Sequence, residues 1–264
     1  MPYRLLVINA MGLLISGRFW RYLGLSIALG MLSGCLYWLH AYRAYLQMSE
    51  FDRYFSVNVG ESFTLHFKEP TLYSDDFLAL SKLYPSDNQA VGQGRRWRYW
   101  FRKIDQNQKI IQPEVRFYSD MLFNADQQLT DWSFSALFLQ IAPPAFLEVS
   151  LRSIGGAAID ETKKQLQANS GQVEKIDAEL PDKAHIVAHL GAPIAIRDES
   201  DHEVYEYRFL LDTPRIEQGY ESNAVNEVKL SFDKKNQQLF NMAGNFAGLK
   251  VSIDYRKFLK TVQK

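Results

Sequence analysis

Apolar residues follow three different patterns along the chain. From Tyr22 to Tyr42 there is no Lys, Arg, Asp or Glu, and Leu, Ile, Ala and Gly dominate. A helix needs about 20 apolar residues to cross the hydrocarbon of a bilayer, so this run predicts a membrane-inserted helix rather than a core helix of a soluble domain. Arg4, Arg18 and Arg21 precede it with no acidic residue among them, whereas Arg43 and Arg53 beyond it are mixed with Glu50 and Asp52. That bias keeps the N-terminus cytoplasmic and sends the remainder across. Residues 41 to 55 then space Tyr42, Tyr45, Leu46, Met48, Phe51 and Phe55 at helix-like intervals, which predicts a juxtamembrane helix.

Beyond this point the period shortens towards two. Arg95 to Lys103 and Glu203 to Leu211 alternate polar with aromatic or aliphatic residues, as half-buried strands do. The two stretches belong to a wider self-similarity. Pro85 precedes Trp97, Tyr99 and Phe101 as Pro193 precedes Tyr205, Tyr207 and Phe209, an offset of about 108. Phe123-Asn124 followed by Asp126-Gln127-Gln128-Leu129 resembles Phe232-Asp233 followed by Asn236-Gln237-Gln238-Leu239, and Leu147 to Leu151 resembles Leu249 to Ile253.

Each half is therefore expected to hold a first strand (Ser62 to Lys68; Gln172 to Glu179) and a short helix (Ser74 to Leu83; Pro181 to Leu190). The alternating strand follows, then a hairpin through Ala125 to Gln128 or Lys234 to Gln237 (Val115 to Asn124 with Leu129 to Ile141; Val225 to Asp233 with Leu239 to Gly244). Pro181 suits a first helical turn and Gly191 a C-terminal cap. Leu147 to Leu151 fits either strand or short helix, and Ala158 to Ala168 reads as a helix linking the halves.

The expected fold class is α+β. A membrane helix or signal precedes two related units, each with short helices packed on a small antiparallel sheet. The boundaries are an anchor over 1–42, a juxtamembrane helix over 43–57, a first unit over 58–157, a linker helix over 158–170 and a second unit over 171–264.

Within the apolar run, Leu32-Ser33-Gly34-Cys35 resembles the lipobox of bacterial lipoproteins, preceded by a basic region ending at Arg21 and an apolar stretch. The resemblance implies acylation of Cys35 as the mature N-terminus and, with Leu36 next, sorting to the outer membrane. An uncleaved signal-anchor helix in the inner membrane is the alternative. Either device leaves the following region facing the periplasm. Leu190-Gly191-Ala192-Pro193, the strand Tyr205-Glu206-Tyr207 and the strand ending at Phe232-Asp233 resemble the SmpA/OmlA family of small outer-membrane assembly lipoproteins. That likeness implies helices packed on a small antiparallel sheet and an accessory role in an envelope machine.

Thirty basic and thirty acidic residues cancel, so nothing attracts the chain globally to nucleic acid. Cys35 is the only cysteine, which rules out an intrachain disulfide and removes thiol catalysis from the rest of the chain. His185 and His189 share a helical face, but no Glu lies between them as the zinc-protease pattern requires. Asp198, Glu199, Asp201 and Glu203 lack the glycine-containing calcium-loop pattern. Asp75-Asp76 after Ser74 fits a helix start. No metal or cofactor is expected.

The remaining oddity is the face presented by Arg96, Arg98, Trp100 and Arg102, opposite Trp97, Tyr99 and Phe101. A basic face beside an aromatic suits an acidic protein partner or an anionic ligand. The expectation is a membrane-anchored envelope adaptor that binds another envelope component without catalysis. Two alternatives stand beside it: a binder of lipid or cell-wall fragments with a cleft between the halves, and an envelope hydrolase with a dispersed site.

Overall fold

The computed structural model describes residues 37, 39–160, 165–167, 170–246 and 249–260. The chain divides into Met1–Leu39 and His40–Lys264. Cys35 and nearly all of the expected membrane run lie outside the described residues. Among the described residues, no helix is long and apolar enough to cross a membrane.

The His40–Lys264 unit begins with a helix over 40–48 (α1), held down from several sides. Ala44 is buried, Tyr45 Oη donates to Ala157 O (2.8 Å), and Gln47 Nε2 donates to Glu69 O (2.9 Å). The 3-10 turn Ser153–Gly156 crosses its end so closely that a Cβ on Gly155 would lie 2.3 Å from Met48 O. A one-turn helix, α2 (Phe51–Tyr54), leads directly into β1 (Phe55–Val59). The expected juxtamembrane helix therefore ends before residue 55, and Phe55 is buried against Phe67 of the neighbouring strand instead.

The first half continues as β2 (Phe63–Phe67), α3 (Ser74–Ser81), β3 (Asp87–Val91), β4 (Gly94–Ile104), β5 (Arg116–Phe123) and β6 (Leu129–Phe134). Two helices, α4 (Ala136–Leu139) and α5 (Pro144–Arg152), close it. A small separate pair, β7 (Ala158–Asp160) and β8 (Gln165–Gln167), replaces the expected linker helix. The second half holds α6 (Lys183–Leu190), β9 (Ala195–Asp198), β10 (His202–Asp212), β11 (Val225–Asp233), β12 (Leu239–Phe246) and β13 (Leu249–Asp254).

The expected α+β class, with short helices packed on a small antiparallel sheet in each of two units, is not what is found: the structure is mostly antiparallel strand, in one sheet of eleven strands. Its order is β1-β2-β6-β5-β4-β10-β11-β12-β13, with β3 on β4 and β9 on β10, antiparallel throughout and curled into a half-barrel. The hairpins are local and follow from turn chemistry. The join between β4 and β10 is not local. Each is the first long strand of its half, and each would leave an unpaired edge if the halves folded apart. Pairing their C-terminal ends removes both edges and fuses the aromatic faces into one core.

The join carries an internal two-fold. Adding 108 to a β4 residue gives its β10 counterpart, and Arg102 pairs with its own counterpart, Leu210. Around them, Phe101↔Leu211 mirrors Lys103↔Phe209, and Trp100↔Asp212 mirrors Ile104↔Arg208. The correspondence extends outwards. A register shift falls between Leu122 and Phe123 on β5 and between Ser231 and Phe232 on β11. Both hairpin turns hold a glutamine at positive φ, Gln127 (64°) and Gln237 (59°). Leu129 N–H donates to Leu72 O, and Leu239 N–H to Pro181 O, both at 2.8 Å.

The buried face collects Trp97, Tyr99, Phe101, Phe117, Met121 and Phe123 from one half and Tyr207, Phe209, Val228, Leu230 and Phe232 from the other. Phe117 sits where they meet. Its ring stacks on Phe101 (4.8 Å) and meets Phe209 edge-on (4.9 Å), with Phe138 of α4 at 5.5 Å.

Other expectations also require correction. Leu147 to Leu151 is helix within α5 whereas Leu249 to Ile253 is strand within β13, so that resemblance is not a structural repeat. Its offset of 102 already differs from the other two. Gln172 to Glu179 forms no strand beyond a single bridge from Ile176 to Leu259. The N-cap of α6 is Asp182, and Pro181 lies outside the helix as a carbonyl acceptor for Leu239.

Candidate functional site

Burial alternates along β4 from Arg96 to Lys103, so Arg96, Arg98, Trp100 and Arg102 lie on the face opposite the core, as the alternation predicts. The partners come from β5, where Leu122, Asp120, Tyr118 and Arg116 stand opposite them in that order. These four were missed in the sequence. Their signal was the out-of-phase half of β5, whose core-facing residues are Phe117, Ser119, Met121 and Phe123.

The face is not a free basic patch. Arg98 forms a two-pronged ion pair with Asp120 (2.7 and 2.6 Å), and their side chains are only 20% and 16% exposed. Arg102 grips Glu114 in the same way (2.9 and 3.1 Å) and approaches Asp212 of the other half at 3.7 Å. Arg96 reaches Gln89 at 2.7 Å and Asp87 at 3.6 Å. Hydrogen bonds donated to Asp120 hold the Arg98 guanidinium above its ordinary pKa, and Arg102 holds the Glu114 carboxyl below the usual range. Arg98 lies over Tyr118 (3.9 Å) and Arg116 over Trp100 (4.4 Å), while Trp100 and Tyr118 meet edge-on at 5.1 Å. The arginines are thus fixed in place by carboxylates behind them, with guanidinium and indole planes presented together.

The second half repeats the pattern more weakly. Arg208 reaches Glu227 at 3.5 Å, Lys229 reaches the same carboxylate at 3.3 Å, and no aromatic stands at the positions of Trp100 and Tyr118.

The other candidates resolve into structural roles. His185 and His189 lie together, ring centres 4.3 Å apart, but His185 Nε2 contacts Gln140 Oε1 (2.6 Å) and His189 Nδ1 contacts His185 O (2.8 Å). Lys234 meets Asp198 at 2.5 Å, Lys183 meets Glu203 at 2.6 Å, and His202 meets Asp201 at 2.7 Å, which gives three of the four carboxylates a partner. Asp76 accepts from Tyr73 N–H at 2.7 Å and meets His40 Nδ1 at 3.0 Å, so it ties α3 to α1. Among the described residues, no three His, Cys, Asp or Glu side chains are placed to hold a metal.

A second site lies at the C-terminal end of α6. Lys103 continues the inward row of Trp97, Tyr99 and Phe101, and its side chain is buried at 2% exposure. Its amine donates to Leu190 O and Ala192 O, both at 2.6 Å, and sits 5.1 Å from the Tyr207 ring centre. Burial pushes the amine below the ordinary lysine pKa. Gly191, at φ 71°, turns the chain out of α6. A Cβ there would lie 3.3 Å from the amine. Beside the lysine opens a groove of about 350 Å³, walled by Ile111, Pro113 and Val115 from one half and by Leu190, Pro193 and Ile194 from the other.

Comparison with family models, curated proteins and solved structures finds no match. The likeness of the second half to the SmpA/OmlA family therefore remains a resemblance.

Proposed function

We propose that the chain is a membrane-tethered adaptor of the cell envelope, without catalysis, whose outer sheet face binds a protein partner. The observation that carries this reading is the Arg98–Trp100–Arg102 row with Tyr118 and Arg116 beside it. Arginine and large aromatics dominate the binding energy of protein interfaces, and side chains already fixed before binding lose less entropy on association. The two-pronged carboxylate pairs supply that fixation. The partner suited to it presents acceptor groups and a flat apolar patch rather than a dense negative charge, because the arginines are already neutralised.

The tether rests on the uncharged run 22–42 and on Cys35, with outer-membrane placement if Cys35 is acylated and inner-membrane placement if the run stays uncleaved. Mild crosslinking in native membranes followed by co-purification tests the surface. Trp100→Ala with Arg116→Ala is expected to lose the proteins captured by the wild type. Capture of the same proteins at the same yield by the variant would defeat the surface. The mass of the mature chain tests the anchor, since retention of Met1 excludes cleavage and acylation at Cys35.

A further inference from the structure

The internal two-fold supplies a control for the α6 groove, because the equivalent junction exists at the end of α3. There the loop after β10 closes down by main-chain pairing. Leu83 bridges to Ile216, Tyr84 N–H donates to Arg215 O (3.3 Å), and Glu217 N–H donates to Lys82 O (3.2 Å). Asn223 Nδ2 takes Ser81 O (3.1 Å), and Leu83 and Leu211 fill the interior. The carbonyls of Ser81 and Lys82 meet amides, that of Tyr84 meets the Thr213 hydroxyl (2.7 Å), and leucine occupies the space.

At the end of α6 the same positions are handled differently. Lys103 stands where symmetry places Leu211. Its amine, instead of loop amides, takes the carbonyls of Leu190 and Ala192. The loop over 105–115 is joined to the far wall through Gln106 Nε2 and Ile194 O (3.1 Å), and the groove stays open beneath it. An ammonium carries three N–H donors, and two carbonyls satisfy two of them. Arg98, Arg102, Arg152 and Lys183 each meet a carboxylate, whereas Lys103 meets none among the described residues. Asp105 also lines the groove, and its Oδ1 is engaged by Asn107 and Lys109 N–H (both 2.8 Å).

Capping of α6 explains the two carbonyl bonds but not the open apolar space beside the amine. A buried cation without a counter-charge, at the inner end of an apolar groove, is complementary to one anionic group on an apolar body. We propose that this groove binds a monocarboxylic acid with a short unbranched hydrocarbon tail, its carboxylate on the third N–H of Lys103 and its tail along Ile111, Val115 and Ile194. The site is separate from the outer face of β4 and does not depend on the adaptor reading.

Hexanoate is the probe, titrated calorimetrically into the full chain in lipid nanodiscs, with empty nanodiscs as the blank and 1-hexanol as the uncharged control. Saturable one-site binding of hexanoate, tighter than that of hexanol, is expected. Lys103→Met keeps the stem and removes the charge, so it should weaken hexanoate by about tenfold or more and leave hexanol unchanged. Ile111→Glu, a half-exposed loop position that leaves the core intact, should abolish hexanoate binding by placing a second anion at the mouth. The absence of saturable binding to the wild type, or equal binding of hexanoate by the wild type and Ile111→Glu, would overturn the assignment. The Ile111 variant decides the matter even if Lys103→Met fails to fold.

Discussion

The two halves share a helix, a flanking strand, three long strands, a register shift and a glutamine turn. They differ where each meets the other. At the end of α3 the junction is sealed by backbone pairing around Leu83 and Leu211; at the end of α6 it holds a buried lysine beside an open groove. On the outer face, the first half carries Trp100 and Tyr118 between two carboxylate-locked arginines, and the second carries Arg208, Glu227 and Lys229 without aromatics. The two halves therefore share the backbone of the sheet and differ in the side chains carried on the outer faces and at the two junctions.

The largest expected effect tests whether the halves are one folding unit. Phe117 touches Phe101 of its own half and Phe209 of the other, so Phe117→Ala should cost about 3–5 kcal/mol. Beyond residue 40 the tryptophans are Trp97, Trp100 and Trp132, all in the first half. With Trp20 and Trp38 replaced by Phe, fluorescence reports that half, while circular dichroism reports both. A shared core predicts one urea midpoint by both probes, lowered together in the variant; two separate midpoints would break the single-sheet picture.

Exchange at the junction comes next. Leu211→Lys places an amine where the carbonyls of α3 already have partners, and should cost about 3 kcal/mol or more. Lys103→Leu strands Leu190 O and Ala192 O but relieves a buried charge, so its loss should be smaller, about 1–3 kcal/mol. Equal losses would mean that the junctions do not differ in kind. The sign of the pH effect follows from the lowered pKa of Lys103. Below that lowered pKa both folded and unfolded chains hold the proton. Between it and the ordinary lysine value of about 10.4 only the unfolded chain does, so stability from this group rises with pH. The urea midpoint of the wild type should gain on that of Lys103→Leu as pH is raised through that window.

The periodicity of β4, β5, β10 and β11 was readable because alternation needs only neighbours, and the repeat followed from the aligned Trp97/Tyr205 and Phe123/Phe232 stretches. The sheet was not readable, because no local pattern states that Arg102 will lie against Leu210. The α5 helix was obscured for a related reason: Leu147, Val149 and Leu151 alternate as a strand would, yet Pro143-Pro144 and the docking of Phe146 on Tyr255 (4.8 Å) impose a helix. On the candidate face, Arg96, Arg98, Trp100 and Arg102 were legible by phase. Their neutralisation by Asp120 and Glu114 was not, since ion pairs across strands depend on register. Lys103 was visible as a lysine in phase with three aromatics, and its meaning appears only beside Leu211.

The smallest contrast lies at the helix starts. Asp182 reaches forward to the N–H groups of Ala184 (2.7 Å) and His185 (3.4 Å), whereas Asp76 in α3 reaches back to Tyr73 N–H and also holds His40 of α1. Loss of either carboxylate frees a helix-end donor, so Asp182→Ala and Asp76→Ala should each cost about 1 kcal/mol, with Asp182→Asn close to neutral because Asn caps as well. Hydrogen exchange separates them. Asp76→Ala should speed exchange over 40–48 by releasing His40, and Asp182→Ala should leave that segment unchanged while exposing the first turn of α6. If both variants loosen 40–48 alike, α1 is held by the fold as a whole rather than by Asp76.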